Sequence, residues 1–273
     1  MKFSVVTSVY RNDKPEFVRR ALESITSCQT LKPNEVVIVV DGPVSDALSS
    51  LISNYEHSNS DLFRVIWLSE NKGLGNALRI GVEAAKYEII ARMDSDDISV
   101  PDRFEKQIAY MELHPDCDLL GGQISEFVGE ESNIVGRRIV PCKNDAILEW
   151  MKGRCPFNHM TVVAQRASVL AVGNYMDWHF NEDYYLWIRM AQAGCMFANI
   201  PDILVNVRVG KDMYARRGGW KYFKSEKGLQ DYMLKHGMIK FPRWMYNVAG
   251  RFVVQVGMPN WVRGFVFKKL FRA

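Results

Sequence analysis

Tyr87-Glu88-Ile89-Ile90-Ala91-Arg92-Met93-Asp94-Ser95-Asp96-Asp97 reads as an apolar strand that stops in a run of acids. On an extended backbone the side chains at i and i+2 point the same way. Asp94 and Asp96 are therefore expected to converge on one face at the strand end. Hard oxygen ligands at that spacing suit a divalent cation such as Mg²⁺ or Mn²⁺, which would in turn hold a diphosphate. The same residues also fit an acidic turn that stops the strand and caps a helix beginning near Pro101. The flanking segments decide between the two.

Upstream of the acids, strands and helices alternate. Lys2 to Val9 is β-rich, and Asp13-Lys14-Pro15-Glu16 is a helix start with proline in the first turn. Phe17, Val18, Ala21, Leu22, Ile25 and Cys28 continue it as one apolar helical face. Glu35 to Val40 is a continuous apolar strand that ends at Asp41-Gly42-Pro43. A helix over Ser45 to Tyr55, a strand over Phe63 to Leu68, a helix over Gly75 to Ala85 and a strand over Tyr87 to Met93 follow. Continuous apolar strands separated by helices imply a parallel sheet buried on both faces. Ligands of such sheets bind at the carboxyl ends of the strands. The polar signals fall at those ends: Ser8 to Asn12, Asp41-Gly42, Ser69 to Gly73, and Asp94 to Asp97.

Downstream, Asp102 to Leu113 reads as a helix, Asp118 to Phe127 as one or two strands, Asp145 to Met151 as a short helix and Met160 to Ala164 as a strand. Asn181 to Ala193 is a helix that Asn181 can cap and Gly194 ends, with Tyr184, Trp187, Ile188 and Ala191 on one face. Phe241, Trp244, Met245, Val248, Phe252, Val253 and Val256 keep helical spacing and predict an amphipathic helix. The stretch Trp261 to Arg272 mixes aromatics with cations, a composition suited to an anionic membrane surface. A helix pair packed on the core, with its cations solvated, fits the same residues. Nucleic acid is not expected, because the aromatics follow packing positions rather than forming a stacking platform.

The balance of 48% hydrophobic and 24% charged residues in 273 is that of a folded soluble protein. A net charge of +4 does not by itself call for a polyanionic partner. Cys28, Cys117, Cys142, Cys155 and Cys195 are scattered without CxxC spacing, so free thiols in a reducing cytoplasm are expected and a zinc site is not. The N-terminus reads as a strand rather than a signal peptide, and no stretch approaches the ~20 apolar residues of a spanning helix.

From about residue 2 to 210 the chain resembles the inverting glycosyltransferases of family 2, with the GT-A fold. Phe3 to Tyr10 is similar to the family's SVVIPVYN start, Val37 to Gly42 to IIVVDDGS, and Asn71 to Gly81 to NxGLxxALNxG. Ala91 to Asp97 resembles the RMDADD form of the DxD motif, and Asn181 to Arg189 the EDYDLWLR segment. Two departures stand out: Asp41 is followed by Gly42 and Pro43 instead of a second acid and serine, and Arg79 replaces Asn. The QxxRW motif of processive synthases is absent, which argues for transfer of a single sugar.

The resemblance implies a Rossmann-like, mostly parallel α/β sheet flanked by helices, with a C-terminal amphipathic helical extension. A GT-A domain is expected over 1–215, with a nucleotide-binding half (1–100) and an acceptor-binding half (101–215), followed by the extension at 216–273. It also implies a nucleotide-sugar donor, most commonly a UDP-sugar, held with Mn²⁺ or Mg²⁺. Asp96 would be the direct metal ligand, with Asp94 facing the ribose or sharing the ion, and Asp97 orienting the cluster. Asp41 would bond the base, Thr7 and Tyr10 would line the nucleoside pocket, and Asn71 and Gly73 would approach the nucleotide. Asp183 would be the catalytic base, favoured as a carboxylate by its helix N-terminus, with Glu182 as the alternative. His159 is either structural or part of the acceptor site, and Trp178 and Trp187 are candidates to stack on sugars. Arg208 to Gly219 suits either a lid over the diphosphate or an exposed basic loop.

The acceptor implied is a polyprenyl-diphosphate-linked saccharide of a surface polysaccharide, reached by peripheral contact of the tail with the inner face of the cytoplasmic membrane. Two other readings compete. A sugar-1-phosphate nucleotidyltransferase would need a glycine-rich phosphate loop, which Ser8 to Asn12 lacks. A nucleotide-sugar-binding scaffold would have no need of both Asp96 and Asp183.

Overall fold

A computed structural model describes residues 1–210 and 218–258. Its strands are β1 (Phe3–Val9), β2 (Glu35–Val40), β3 (Phe63–Trp67), β4 (Ile89–Arg92), β5 (Ile98–Ser99), β6 (Leu119–Phe127), β7 (Ile134–Arg138), β8 (Val163–Gln165) and β9 (Phe197–Arg208). The helices are α1 (Pro15–Ser24), α2 (Asp46–Ser58), α3 (Leu74–Ala84), α4 (Arg103–Leu113), α5 (Asn144–Met151), α6 (Arg166–Ala171), α7 (Glu182–Gln192), α8 (Trp220–Lys235) and α9 (Phe241–Phe252). The strands form one sheet in the order β3-β2-β1-β4-β8-β6-β9-β5, with β7 on β6. β3, β2, β1 and β4 run parallel, as do β6 and β9, whereas β8 joins the two blocks antiparallel to both β4 and β6.

Two apolar layers sandwich this sheet. On β1, Phe3, Val5 and Val9 face one layer with α1, α2 and α4, while Val6 faces the other with α3 and α7. On β2, Val36, Ile38 and Val40 alternate with Val37 and Val39 in the same way. Burial on both sides is the reason the strands read as unbroken apolar runs. The close fit leaves no room for a side chain at Gly81 of α3, where a Cβ would stand 2.5 Å from Val6 Cγ1 and 3.3 Å from Val39 Cγ2.

Up to α4 the expected elements lie within three residues of those observed. α1 stops at Ser24 instead of running to Cys28. Ser24 Oγ donates to Ala21 O at 2.7 Å and Thr26 Oγ1 to Leu22 O at 2.6 Å, so hydroxyls compete for the helical carbonyls there. Asp13, read as part of a helix start, does not cap α1, whose N-cap is Lys14. Asn181 holds the N-cap position of α7 but makes no side-chain cap bond; its amide nitrogen donates to Ser225 Oγ of α8 at 3.0 Å. β5, just ahead of α4, and β7, β9, α6 and α8 after it are additions to the sequence reading. The expected domain boundary at 215/216, most of the Arg208–Gly219 lid candidate and the Trp261–Arg272 tail lie outside the described residues.

The amphipathic helix expected from Phe241 is present as α9, extended by a π-helical turn over Val253–Gly257. Its orientation differs from the one its apolar spacing implies. Asn247, Arg251 and Gln255 turn inward, while Phe241, Met245, Tyr246, Phe252 and Val253 are exposed. Asn247 Nδ2 donates to Lys152 O and Gln230 Oε1, both at 2.8 Å, and Arg251 Nε donates to Glu226 Oε2 at 2.5 Å. Buried polar partners thus fix the helix by its polar side. Among the described residues no helix is long and apolar enough to cross a membrane.

Gly81→Val should force the stiff β-branched side chains of Val6 and Val39 off their packed positions and destabilise the protein by about 1–3 kcal/mol. Urea unfolding would read this as a lower midpoint at an unchanged slope.

Candidate active site

β1, β2, β3 and β4 end at Val9, Val40, Trp67 and Arg92 on one edge of the sheet. β4 is the short one: Arg92 pairs with Val6, and Met93 N donates to Val6 O at 3.2 Å. The acids after β4 therefore pass alongside the end of β1 and the loop that follows it. There Asp13 accepts from Tyr10 N–H at 3.0 Å and from Ser95 Oγ at 2.8 Å, which ties the β1 loop to the acidic run. Burial, with a smaller push from Asp94, raises the Asp13 carboxyl to a pKa of about 6.

Within the run each acid has its own environment. Asp94 bonds Arg92, with Nη2 and Oδ1 at 2.5 Å, as the i, i+2 geometry of a strand permits. Asp97 is buried and accepts the Arg208 N–H at 2.9 Å, so it links the run to the end of β9. Solvent reaches Asp96, yet the surrounding protein, with the charges of Asp94 and Asp13, lifts its pKa to about 6. Asp96 receives no hydrogen bond from another side chain among the described residues. A second buried arginine, Arg103 of α4, donates to Arg92 O at 2.8 Å and holds the strand end from below.

Asp41 closes the neighbouring loop. Its two carboxylate oxygens accept from Lys72 N–H and Gly73 N–H, each at 2.9 Å, and Asn71 Nδ2 donates to Asp41 O at 3.0 Å. The glycine after Asp41, a departure from the family pattern, is required by this approach. Gly42 has φ +84°, and a Cβ there would lie 2.5 Å from Asn71 N. Gly73, at φ +89°, then starts α3. Tyr10 is exposed at the rim, whereas Thr7 is buried within the sheet on the α1 side.

The second acid set starts α7. Asp183 Oδ1 accepts Tyr184 N–H at 2.7 Å, and Oδ2 faces Cys155 Sγ at 3.9 Å and His159 Nδ1 at 4.0 Å. Burial raises the Asp183 pKa, against the pull of the Tyr184 N–H and of Arg92 and Arg138. The helix N-terminus, expected to favour the carboxylate, is outweighed by burial. Glu182 lies against the start of α3, where a Cβ on Gly75 would come 3.2 Å from its Cβ. Burial and then Asp183 push Glu182 up to about 7. Arg92 faces both sets, since its charge acts on Asp94 and Asp97 and also on Glu182 and Asp183. Trp187 belongs to the core, and Trp178 is engaged with α8 through an Nε1–H bond to Ser225 O at 3.1 Å.

Residues 4–172 match the model of glycosyl transferase family 2. The chain belongs to that family. It is 42% identical over 233 residues to the amylovoran biosynthesis glycosyltransferase AmsE of Erwinia amylovora, covering 85% of each chain. It is 34% identical over 271 residues to the UDP-Gal:alpha-D-GlcNAc-diphosphoundecaprenol beta-1,3-galactosyltransferase of Escherichia coli, covering 99% of this chain and 97% of that one. Its fold is similar to that of S. aureus TarS 1-349 in complex with UDP-GlcNAc (TM-score 0.67, 16% identity, 93% of this chain and 73% of that one). It is also similar to a mannosyltransferase of Pyrobaculum calidifontis in complex with GDP-Man and Mn²⁺ (TM-score 0.63, 15% identity, 96% and 72%). The architecture of this family 2 transferase is thus GT-A-like, a mostly parallel sheet flanked by helices.

The acidic edge fits a divalent cation on its own chemistry. Asp96 offers a carboxylate that no other side chain among the described residues satisfies, in the field of Asp94 and Asp13. Among the described residues no three Asp, Glu, His or Cys side chains are already gathered for a metal ion, since Asp94 is turned onto Arg92 and Asp97 onto β9. Sequence reasoning gave no role to Asp13, Arg92, Tyr175 or Cys155. Arg92 was within reach, as a cation two places before Asp94 on a strand. The others arrive by tertiary packing from loops that carry no motif.

Glu182 sets a pH signature. Its folded pKa of about 7 lies above the ordinary 4.5, so the native state takes up a proton that the unfolded chain does not as pH falls from 7 to 4.5. The ionised form thus destabilises the fold above pH 7, and the penalty disappears below pH 4.5. Glu182→Gln should raise the melting temperature at pH 8 by roughly 2–8 °C and leave it unchanged at pH 4.5. Thermal scans at the two pH values test this.

Proposed function

We propose that this family 2 transferase moves one sugar, with inversion, from a UDP-sugar to a hydroxyl of a polyprenyl-diphosphate-linked saccharide in surface polysaccharide assembly. The observation that carries the reading is the convergence of two acid sets on Arg92, one suited to the donor diphosphate and one to an acceptor hydroxyl. The relation to the Escherichia coli enzyme over nearly the whole chain supports the UDP-sugar and the lipid-linked acceptor.

In this reading the donor lies along the edge from Asp41 to Asp96. Tyr10, Asp41, Asn71 and Gly73 belong to its nucleoside end, with Thr7 buried in the sheet beneath them and the exposed Tyr10 free to move onto the base. Asp41 keeps lone pairs beyond its two backbone bonds, but its main work is to shape the loop. Asp96, with Asp94, would hold Mn²⁺ or Mg²⁺, and a bound divalent ion would neutralise the charge that develops on the departing diphosphate. The acceptor oxygen bonds to the anomeric carbon from the face opposite the leaving group. The carbon–oxygen bond to the diphosphate breaks with its electron pair, and the hydroxyl proton passes to Asp183 Oδ2. A raised pKa makes Asp183 a stronger base than a solvated aspartate for work at neutral pH, and the Tyr184 N–H, Arg92 and Arg138 favour its ionised form. Glu182 is less suited, since a pKa of about 7 leaves it half protonated there.

The outward face of α9 supports peripheral attachment to the inner face of the cytoplasmic membrane. Tyr246 is 77% and Met245 54% exposed, with Phe241, Trp220, Phe252 and Val253 around them. Exposed Lys221, Lys224, Lys240 and Arg243 flank these apolar groups. An apolar ridge flanked by cations suits an anionic lipid surface, and would place the site near a lipid-linked acceptor.

Calorimetry with UDP, GDP and dTDP, with and without Mn²⁺, tests the donor site. One nucleotide, UDP, should bind only with the ion, and Asp96→Ala should abolish that binding; absence of binding by every nucleotide would sink the assignment. Asp183→Asn should keep donor binding and lose about 10²–10⁴ in kcat.

For the membrane, Met245→Glu with Tyr246→Glu should release the protein from phosphatidylglycerol-containing vesicles in sedimentation assays without changing UDP binding. High salt should weaken attachment of the wild type. Undiminished vesicle binding by the double variant would rule out α9 as the contact.

A further inference from the structure

We propose that His159 is a positioning residue for Asp183, with Tyr175 holding Nε2 as an acceptor so that Nδ1–H is presented to the Asp183 carboxylate. The proposal rests on the reading of Asp183 as the base.

The geometry is a line of three buried or half-buried side chains. Tyr175 Oη lies 2.8 Å from His159 Nε2, and His159 Nδ1 lies 4.0 Å from Asp183 Oδ2. The imidazole is fixed in this direction by an edge contact with the Trp187 ring at 6.0 Å and a tilted contact with the Tyr175 ring at 5.6 Å. Trp187 and Tyr175 are 1% and 4% exposed. The ring sits on the 3₁₀ turn His159–Thr161, whose Thr161 Oγ1 accepts from Gly122 N–H at 3.0 Å, so its backbone is anchored to β6.

Proton bookkeeping selects one tautomer. Burial raises the Tyr175 hydroxyl above its ordinary pKa, so it keeps its proton, and Nε2 is the partner of that hydroxyl among the described residues. Burial, with the positive charge of Arg92, pushes His159 well below its usual range, so the ring is neutral and has one N–H. If Nε2 carried that hydrogen, the buried Tyr175 proton would have no acceptor and the Nδ1 lone pair would face the carboxylate. With the hydrogen on Nδ1, the tyrosine donates to Nε2 and Nδ1–H points at Asp183. The 4.0 Å separation suits a donor that closes on the carboxylate when the acceptor sugar is bound, since catalytic hydrogen bonds are often long in the ligand-free state.

The other groups facing Asp183 are few. Arg92 of β4 and Arg138 of β7 favour its charge, as does the Tyr184 N–H, and Glu182 opposes it from the same turn. The Cys155 thiol, pushed up to about 12 by burial and by Asp183, stays protonated near Oδ2. Glu226 and Arg251 act one layer away, on Tyr184. The thiol hydrogen has a nearer acceptor in Phe157 O, at 3.5 Å against 3.9 Å to Oδ2, which leaves His159 as the neutral donor directed at Asp183. Holding Oδ2 in place aims its remaining lone pair at the acceptor proton.

Two measurements test this on the full chain. Long-range ¹H–¹⁵N correlation spectra of ¹⁵N-histidine protein, assigned with His159→Asn, should show Nδ1 protonated and Nε2 bare from pH 8 to 5.5. Tyr175→Phe should mix the tautomers. A protonated Nε2, or an imidazolium at pH 6.5, would overturn the proposal whatever the enzyme's substrate is.

The second measurement is kinetic, with UDP-galactose, UDP-glucose or UDP-GlcNAc and synthetic polyprenyl-diphosphate-linked GlcNAc. Asparagine places its amide nitrogen near Nδ1, and glutamine places its own near Nε2. His159→Asn should keep kcat within about tenfold, whereas His159→Gln should lose about 10–100-fold with the donor KM unchanged. Loss of the donor raises the Asp183 pKa, so the acid limb of kcat should move up by about 0.5–1 unit in His159→Gln. The reverse order, with glutamine retaining activity and asparagine losing it, would assign His159 to packing against Tyr175. Full activity of Asp183→Asn would remove the base assignment while leaving the tautomer result standing, so the two failures are distinguishable.

Discussion

The site depends on a guanidinium buried at the end of β4. Arg92 is 6% exposed, and burial is the largest single influence on it, yet it remains a cation because the charge and hydrogen bond of Asp94, with Tyr175 and Asp97, together outweigh that burial. Buried charges persist only when paired, and removing one partner leaves the other uncompensated. Here the pairing extends beyond Asp94. Asp97, Glu182 and Asp183 lie in the same field, so one cation on a central strand holds together acids from the β4 loop and from α7. Arg103 supports the arrangement from α4 without a carboxylate of its own. It bonds Arg92 O and Gln107, and burial together with Arg92 lowers it to about 9. The strand end cannot shift without disturbing both acid sets.

The first half of the chain was readable because its physics is local. A strand buried on two faces has to be apolar throughout, as β2 is, and the polar residues left over mark the functional edge. The second half hides its strands for identifiable reasons. β9 is interrupted by Pro201-Asp202 and pairs with β6 through register shifts around Gly122 and Gln123. β7 is an exposed strand paired only with β6 in the sheet, so it lacks the apolar signature. In the site, the DxD acids and the Glu182-Asp183 pair stood out as motifs. The convergence of Cys155, His159 and Tyr175 on Asp183 is made by packing around Trp187, and no spacing encodes it.

The inverted α9 carries a related lesson. Its apolar periodicity predicts a helix correctly but not which side is buried. Asn247 and Arg251 have hydrogen-bond partners on α8 and at Lys152 and Gly153, and those partners are themselves removed from water. Leaving such groups unpaired costs about 1–3 kcal/mol each. Exposing a methionine or tyrosine side chain costs a comparable amount, but that cost vanishes if another surface covers it. The polar side therefore fixes the orientation, and the apolar side is left as a surface.

Magnitudes also explain why Asp183 can act as a base at a position where sequence alone points to a weak one. A helix N-terminus favours a carboxylate by about 0.3–1 kcal/mol. Desolvation of a buried carboxyl shifts its pKa in the opposite direction, by up to several units where burial is complete. The net upward shift at Asp183 shows that desolvation dominates, despite the Tyr184 N–H, Arg92 and Arg138. Those three opposing groups keep the shift bounded. A carboxylate with no partners in the same cavity would be pushed further toward its neutral form, which cannot accept a proton. Glu182, which shares the cavity but has fewer partners, is pushed to about 7. The two neighbours differ in what surrounds them more than in what they are, and the hydrogen-bonded one is the one equipped to accept a proton.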